Sequence, residues 1–481
     1  MKSKTDLRRP QLHRGIGKAG LFSLAFGAMI GVGWVTAMGS WLSNAGPLGA
    51  IIAFFLGGLI ILVIGICYAE VTAALPLSGG EVAYAYKAFG SSKSFIVGWF
   101  LTFGYLSVSA FEAVSINKVL SYLIPSIDLI PIYSVNGSPV YLVHLFISAF
   151  FVVLISAINY TGVKNSARFQ VGLTILFVLL TFVFVIAGFI MGDFKNLTPL
   201  FSGNSTGSIT AGIAMVLVTV PFWFVGFDTI PQAAEEADQS IPFKTIGSLI
   251  LVSIIAAICF YMLLILSTST AAPWNEILDE KLPTASAFEK ATESPFMVKI
   301  ILITALVGLL TSWNGFFLAG SRVLFALGRG KIISPQFGKS HPTYHTPYKA
   351  VLFSGLITFL ASLMGQGAMV AFVNVGSLCI VIAFFGVSFS FLSLRKKFPN
   401  LNRPFFAPKG RFLGILSICG TLCMLIAMLY PGSPAALAWP LEWVIFSVFS
   451  LLGFIFWKVS SKSRNSISKE KRDYLILDNY S

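Results

Sequence analysis

Two acidic residues interrupt otherwise apolar stretches of this 481-residue chain, and they are the side chains best placed to do chemistry. Asp228 stands within PFWFVGFDTIP, and Glu112 stands midway along another apolar run. An acid inside a membrane span costs at least about 2.5 kcal/mol on insertion scales, so it normally faces a cavity or a partner. Both residues are therefore candidates for binding a proton or an amine, and Glu112 has the alternative role of pairing with Lys118 or with a hydroxyl.

The other reactive residue types form no catalytic or metal-binding pattern. The 4 histidines are dispersed along the chain, and the 5 cysteines include no CxxC pair and no Cys/His cluster. The sequence has no GxxxxGK[ST] loop, which argues against an ATP-driven process. We therefore predict no enzyme activity, no metal site and no cofactor.

The composition predicts a protein whose surroundings are largely lipid. Hydrophobic residues make up 56% of the chain, charged residues 11%, and the mean hydropathy is +0.84. Soluble domains have about 25% charged residues. The net charge of +14 does not indicate nucleic-acid binding, because the basic residues stand between apolar stretches, as the positive-inside rule predicts for membrane proteins.

Twelve stretches are long and apolar enough to be membrane helices, which need about 20 residues each. Their limits are 18–44, 47–74, 94–124, 139–160, 166–192, 209–234, 243–269, 296–327, 348–365, 368–394, 411–430 and 437–458. When the N-terminus is placed inside, 28 of the 33 lysines and arginines fall on the inner side. We therefore predict a multi-pass plasma (inner) membrane protein with both termini cytoplasmic.

The segments outside the spans have distinct characters. Residues 1–17 are a polar, basic tail, and residues 76–93 are too polar to span, so we expect a short cytoplasmic loop helix there. The charged tail 459–481 is expected to be mobile.

Helix-breaking residues concentrate in the first and the sixth spans. The first span carries three glycines within GAMIGVG, and the sixth carries two prolines and a glycine within PFWFVGFDTIP. Five spans separate these positions, and an odd number of crossings inverts the second unit relative to the first. Interrupted helices at matching positions of inverted repeats point to a transporter's central site. This predicts repeats at 18–192 and 209–394, with two further helices at 411–458.

Two interrupted helices can bind a zwitterion without charged side chains. The N-terminal end of a half-helix carries partial positive charge, and the C-terminal end carries partial negative charge. The amides of Gly31, Val32 and Gly33 are expected to receive a carboxylate. The carbonyls near Ala28, Met29, Phe224 and Val225 are expected to receive an ammonium group.

Three segments resemble motifs of the amino acid–polyamine–organocation (APC) superfamily, in its amino acid permease branch. They are Gly27-x-Met29-Ile30-Gly31-x-Gly33, the segment PLSGGEVAYAY that begins at Pro76, and Gly226-Phe227-Asp228 followed by AAEE. The resemblance extends from about Gly15 to Phe398. It implies an all-α membrane protein with a LeuT-type 5+5 inverted repeat, in which helices one and six are unwound, and transport of amino acids or related small amines by alternating access.

The same resemblance implies roles for single residues. Phe222 matches an aromatic gate, Asp228 matches an acid near the substrate that can carry a proton, and Trp313 or Phe316 covers the substrate. Phe227 is expected near the cavity. The sequence also departs from the family pattern, because the fifth span lacks the lysine found in some proton-coupled members and Val32 stands where serine is frequent.

The sequence leaves alternatives open for the inner gate and for the coupling ion. Glu235 and Glu236 lie at the inner mouth, where they either pair with arginine or lysine as a gate or are simply solvated. Transport is expected to be proton-coupled or to occur by exchange, with sodium as an alternative coupling ion through the hydroxyls of Thr311 and Ser312. A transporter-fold sensor and a channel remain alternatives to coupled transport.

Overall fold

The computed structural model describes residues 9–280 and 282–480, and nearly all of this chain is helical. The helices are α1 (Lys18–Met29), α2 (Gly33–Thr36), α3 (Met38–Ala74), α4 (Gly80–Phe89), α5 (Ser91–Leu123), α6 (Leu142–Thr161), α7 (Val163–Met191), α8 (Thr206–Trp223), α9 (Thr229–Ala233), α10 (Phe243–Ala271), α11 (Pro283–Thr292), α12 (Pro295–Arg329), α13 (Tyr348–Ser362), α14 (Gly365–Lys397), α15 (Gly410–Leu429), α16 (Leu441–Val459), α17 (Ser461–Asn465) and α18 (Lys469–Leu477). An antiparallel hairpin of β1 (Pro131–Val135) and β2 (Ser138–Tyr141) precedes α6. Residues 1–8 of the predicted N-terminal tail, Lys281 of an outer loop and Ser481 lie outside the described residues.

Eleven of the described helical segments are long and apolar enough to cross a membrane. The predicted ninth span corresponds to α13, an apolar helix of only 15 residues. Many large apolar side chains are exposed on the outside of the bundle, such as Phe146, Leu179 and Ile190. A contiguous apolar surface of this kind has lipid as its natural solvent, so the chain is an all-α membrane protein with one small hairpin.

The first predicted span, 18–44, is not one helix. Helix α1 ends at Met29, α2 covers Gly33–Thr36, and α3 begins at Met38 before the predicted boundary of the second span. Helix α3 kinks at Gly46, whose φ is +70°, directly before Pro47. A β-carbon at this position would lie 2.6 Å from the Cα of Phe201, so the kink requires a residue without a side chain.

The sixth predicted span is also broken, as expected. Helix α8 starts with a capping box between Ser205 and Ser208 and ends at Trp223, two residues after Pro221. Helix α9 resumes at Thr229. The predicted unwinding of the first and the sixth spans is therefore confirmed, at residues 30–32 and 224–228.

The broken helices lie between two groups of longer helices. Helix α3 packs against α8 and α10, while α5 packs against α12 and α14. Helix α1 contacts α7, α10 and α12, and the short helix α9 contacts α1, α4 and α12. Both interruptions are thus enclosed by protein rather than lipid, which is where unpaired backbone groups are tolerated at membrane depth.

The C-terminal tail is folded against the bundle, so the expectation of a mobile tail is wrong. Leu475, Ile476 and Leu477 of α18 are buried. The guanidinium of Arg9 donates to the carbonyl of Leu475 at 3.2 Å, and the hydroxyl of Tyr86 on α4 donates to a tail carboxylate, Asp473, at 2.6 Å. The two ends of the described chain therefore meet on one face of the bundle. This face, formed by residues 9–16, α4, α9 and α18, is called the terminal face below.

The docked tail leads to a first prediction. Ile476→Asp places a carboxylate against Gly330, where an added β-carbon would lie 2.5 Å from the Ile476 side chain. We expect the tail to detach, because an unpaired buried charge costs several kcal/mol. Limited proteolysis of the purified protein should then cleave after Val459 much faster than in the wild type. Tyr474→Ala, on the exposed side of α18, is the matched control and should leave the tail protected. Equal cleavage of all three proteins would contradict the docking.

Candidate functional site

The two helix interruptions face each other at close range. Gly226 adopts a φ of +131°, and a β-carbon there would lie 2.7 Å from the backbone nitrogen of Met29. The hydroxyl of Tyr261 on α10 lies 2.9 Å from the carbonyl oxygen of Met29 and 3.3 Å from that of Trp223. Tyr261 thus stands between the C-terminal ends of α1 and α8, and it supplies a donor where the helices themselves supply none.

A cavity of about 110 Å³ opens beside the two interruptions. It is lined by Ala28, Met29, Gly31, Val32, Gly33, Thr36, Val108, Phe111, Glu112, Phe222, Trp223, Val225, Tyr261, Ser312, Phe316, Val373 and Ile380. The residues predicted from the first span all line this cavity, as do Phe222, Val225, Phe316 and Glu112. The structure therefore brings together most of the site residues that the sequence suggested.

The polar end of the cavity is formed by Glu112 and the first interruption. Oε1 of Glu112 accepts a hydrogen bond from the hydroxyl of Ser312 at 2.6 Å, while Oε2 is buried without a hydrogen-bond partner among the described residues. A β-carbon at Gly31 would lie 2.9 Å from Oε1 of Glu112. The carboxyl group therefore lies directly against the unwound segment, and its partner is a hydroxyl rather than Lys118.

The remaining wall is apolar, and sequence reasoning missed most of it. Val108 and Phe111 come from α5, and Val373 and Ile380 come from α14. Trp223 packs so closely on the first interruption that a β-carbon at Gly33 would overlap its ring. Glu112 was the available signal for Val108, because residues four positions apart share one face of a helix. For α14 the sequence carries no comparable signal.

Besides Phe224, three predicted substrate-site residues lie outside the cavity lining. Phe227 packs its ring between Tyr68 and Phe384, with centroids 5.2 and 5.1 Å away. Trp313 belongs to a separate buried cluster with Val152 and Phe317. On α12 it points about 100° away from Ser312, which does line the cavity.

Asp228 is the third of these residues, and its carboxylate is satisfied within the protein. Oδ2 accepts a hydrogen bond from the hydroxyl of Tyr105 at 2.6 Å, and Oδ1 accepts one from the amide of Gly226 at 3.0 Å. Asp228 therefore supports the sixth-helix interruption from behind the cavity wall. The hydroxyl of Thr311, proposed as a sodium ligand, donates to the carbonyl of Gly308 at 2.8 Å.

Glu235 and Glu236 are buried between arginines rather than solvated. Both carboxylate oxygens of Glu235 accept bonds from Arg9 at 3.0 Å and from Arg329 at 2.8 and 2.9 Å. Glu236 accepts bonds from Arg322 at 2.8 and 2.9 Å. These five residues are called the ion-pair cluster below.

The ion-pair cluster connects the C-terminal part of α12 to the terminal face, to which Arg9 belongs. Arg322 and Arg329 follow Phe316 on α12 by six and thirteen residues, or about 9 and 20 Å along the helix axis. The amides of Gly15 and Ile16 donate to the carbonyl of Glu236 at 2.8 and 3.0 Å, which ties the N-terminal segment over the cluster. The structure is thus closed on the terminal face.

The charge state of Glu235 is held by its neighbours. Burial alone would raise the pKa of its carboxyl, but the guanidiniums of Arg329 and Arg9 outweigh burial and lower the pKa to about 2. A carboxyl whose pKa is lower in the folded state stabilises the fold above its unfolded pKa, near 4.5, and loses that contribution as the pH falls toward 2. Glu235 therefore stays ionised across the physiological pH range.

Comparison with known proteins identifies the family to which this architecture belongs. The family model for amino acid permeases matches residues 16–457. The chain belongs to the amino acid permease family. A methylthioribose transporter of Bacillus subtilis is 25% identical over 450 residues, covering 93% of each chain. A branched-chain amino acid permease of the same bacterium is 26% identical over 95% of each chain.

A plant relative is named for a third class of substrate. Cationic amino acid transporter 7, chloroplastic, of Arabidopsis thaliana is 28% identical to the permease over 88% of this chain and 72% of its own. The family and these relatives support the transport of amino acids or small organic molecules by a multi-pass membrane protein. They differ in the substrates that their names state, so they do not define one substrate for this permease.

The ion-pair cluster leads to a second prediction. Arg329→Gln removes one of the two guanidiniums that neutralise Glu235, and breaking a buried ion pair costs about 3–5 kcal/mol. We expect a clearly lower thermal unfolding temperature for the purified permease at neutral pH. Lys290→Gln is the control, because Lys290 and Glu276 form an exposed pair worth about 0–1 kcal/mol. If Arg329→Gln and Lys290→Gln unfold at the same temperature, the ion-pair cluster does not contribute to the stability of the fold.

Proposed function

We propose that this permease is a secondary active transporter that moves amino acids or related small amines across the membrane by alternating access. The observation that carries the proposal is the cavity between two helix interruptions, closed on the terminal face by buried ion pairs. Binding sites of this kind lie at the interface of inverted repeats, here residues 18–192 and 209–394, with 411–458 appended. The charge distribution makes the terminal face cytoplasmic.

The interruptions offer complementary partial charges to a zwitterion. Amides at the start of α2, around Gly31, Val32 and Gly33, receive the substrate carboxylate. The ammonium group is received by carbonyls where α1 and α8 end, namely those near Ala28 and Met29 and those near Phe224 and Val225. Tyr261 already donates to the carbonyl of Met29, so the ammonium competes with that hydroxyl or uses the second lone pair of the oxygen.

Glu112 makes this arrangement dependent on a proton. Its carboxyl group lies against Gly31, where the substrate carboxylate would bind. In this buried site, an ionised Glu112 and the adjacent substrate carboxylate would repel each other strongly. A neutral Glu112 instead donates a hydrogen bond to the substrate carboxylate. We therefore favour proton coupling over sodium coupling, with Glu112 as the acid that binds the proton next to the substrate.

The cavity favours a small substrate with a neutral side chain. The cavity is small, with a volume of about 110 Å³. Apart from Glu112, its side-chain walls are mainly aliphatic and aromatic. A long cationic side chain would need a wider cavity than this closed state offers. The branched-chain amino acid permease among the relatives is named for substrates whose side chains are small and apolar.

A third prediction tests substrate binding at the first interruption. Gly31→Ala fills the space between the unwound segment and Glu112, so we expect amino-acid uptake and ligand-induced thermal stabilisation to weaken by about tenfold or more. Gly172→Ala is the control, because a β-carbon there meets nothing within 4 Å. Uptake should be measured as counterflow in proteoliposomes, which also separates a transporter from a sensor. Stabilisation by sugars or nucleobases but by no amino compound would overturn the proposed substrate class.

A fourth prediction concerns the coupling acids. Glu112→Gln keeps a neutral side chain beside the substrate, so exchange should continue while the dependence of uptake on external pH flattens. Asp228→Asn should also change the pH profile if Asp228 carries a proton. Initial uptake rates between pH 5 and 8 distinguish the two acids. A wild-type pH profile in either variant removes that residue from coupling.

A further inference from the structure

Glu81 on α4 is a buried acid that neither the cavity nor the ion-pair cluster uses. Its side chain is fully buried, Oε2 accepts a hydrogen bond from the amide of Gln232, and Oε1 is buried with no partner in the described part of the chain. None of the ion pairs in residues 9–280 and 282–480 involves Glu81. It therefore differs from Glu235 and Glu236, whose charges are matched by arginines.

Helix α4 holds Glu81 directly against α9, the half of the sixth helix nearer the terminal face. A β-carbon at Gly80 would lie 2.7 Å from the side chain of Pro231 and 3.0 Å from its backbone. Asp228 immediately precedes α9, four positions before Gln232. Gln232 contacts Glu81, and the charge of Asp228 also acts on Glu81.

The groups around Glu81 that the structure describes offer no compensating cation. The titratable side chains facing it are Tyr68 from α3, Tyr84 from α4, Tyr105 from α5 and Asp228 at the start of α9. Arg322 of α12 is bound to Glu236, Lys397 of α14 donates to the carbonyl of Ala88 near the other end of α4, and Asp473 of α18 accepts from Tyr86. A second negative charge beside Asp228 would therefore stand uncompensated.

Burial favours the neutral form of such a carboxyl. An isolated buried carboxylate is so costly that the group normally takes up a proton instead. Burial raises the pKa of Glu81 well above its usual value, and the charge of Asp228 raises it further. In the structure as described, burial and the charge of Asp228 therefore both favour the neutral form of Glu81.

We propose that Glu81 is a proton site of the gate on the terminal face, holding a proton while α9 is packed against α4 and releasing it when the two helices separate. Separation admits water to the carboxyl, which then ionises. The ionised form cannot be buried again beside Asp228 without taking up a proton. Protonation of Glu81 and closure of the gate thus favour each other, as linked equilibria must.

This site deepens the proposed function, because it makes gate position depend on pH independently of the substrate. Glu112 links a proton to substrate binding in the cavity, while Glu81 links a proton to the movement of α9. The two acids therefore make separable contributions, and Glu81 acts without contact to the substrate.

The test compares Glu81→Gln with a control on the same helix, Tyr84→Phe. Gln mimics the neutral acid, whereas Tyr84→Phe removes a buried hydrogen bond to Thr72 and leaves Glu81 in place. Infrared spectra of the purified proteins at neutral pH should show the carbonyl band of a protonated carboxylic acid in the wild type and the control. Part of this band should be lost in Glu81→Gln. An unchanged band would overturn the proposal without any reference to a substrate.

Gate position gives the second measurement. Spin labels on the N-terminal segment and on α12 should report that raising the pH opens the terminal face of the wild type, by up to about tenfold in the open-to-closed ratio per pH unit for one linked proton. Glu81→Gln should stay closed over the same range, and Tyr84→Phe should follow the wild type. A pH-independent wild type, or a Glu81→Gln variant that opens like the wild type, would overturn the proposal.

These readouts separate the two proposals. Failure of every amino compound to be transported, together with a pH-dependent gate that requires Glu81, would overturn the proposed substrate and leave the gate assignment standing. Amino-acid transport with a gate insensitive to Glu81→Gln would support the proposed substrate and overturn the gate assignment.

Discussion

The peptide groups left unpaired at the two helix interruptions are the constraint on which this structure depends. Inside a membrane these groups cannot be satisfied by lipid, so each interruption must be covered by protein or line a cavity. The permease does both. Tyr261 donates toward both helix ends, Gly226 permits the backbones to approach, and the remaining groups face a cavity of about 110 Å³. In the proposed function, a substrate with one charge of each sign pairs with the groups that the protein leaves unpaired.

The distribution of buried acids follows from the same need to compensate charge in a poorly solvated interior. Glu235 and Glu236 are buried in ion pairs with arginines at the terminal face. Glu112 and Glu81 have no cationic partner among the described residues and keep one oxygen free. In the proposed function, the ion pairs hold the terminal face closed, and the unpaired acids are the groups whose charge changes when water or substrate arrives.

Several features could be predicted from local sequence because they depend on backbone chemistry. Glycines in GAMIGVG and prolines around Trp223 weaken helices wherever they occur, so both interruptions and most of the cavity residues were foreseen. Asp228 shows the limit of this reasoning. An acid in an interrupted span was expected beside the substrate, but Tyr105 and the amide of Gly226 hold it behind the wall. Of the alternatives Trp313 and Phe316, Phe316 lines the cavity and Trp313 does not, because neighbouring positions on α12 point in different directions.

Sequence by itself determined that the chain is a membrane protein with two broken helices, since hydropathy and helix propensity are properties of short segments. It also indicated an amino-acid-sized, dipole-lined site through the motifs of the first and sixth spans. Only the tertiary structure decided which acids are paired, because Arg9, Arg329 and Glu235 are separated by more than ninety residues at the nearest and meet through packing alone. The same holds for the docked tail and for Glu81, whose environment is created by a helix from another part of the chain.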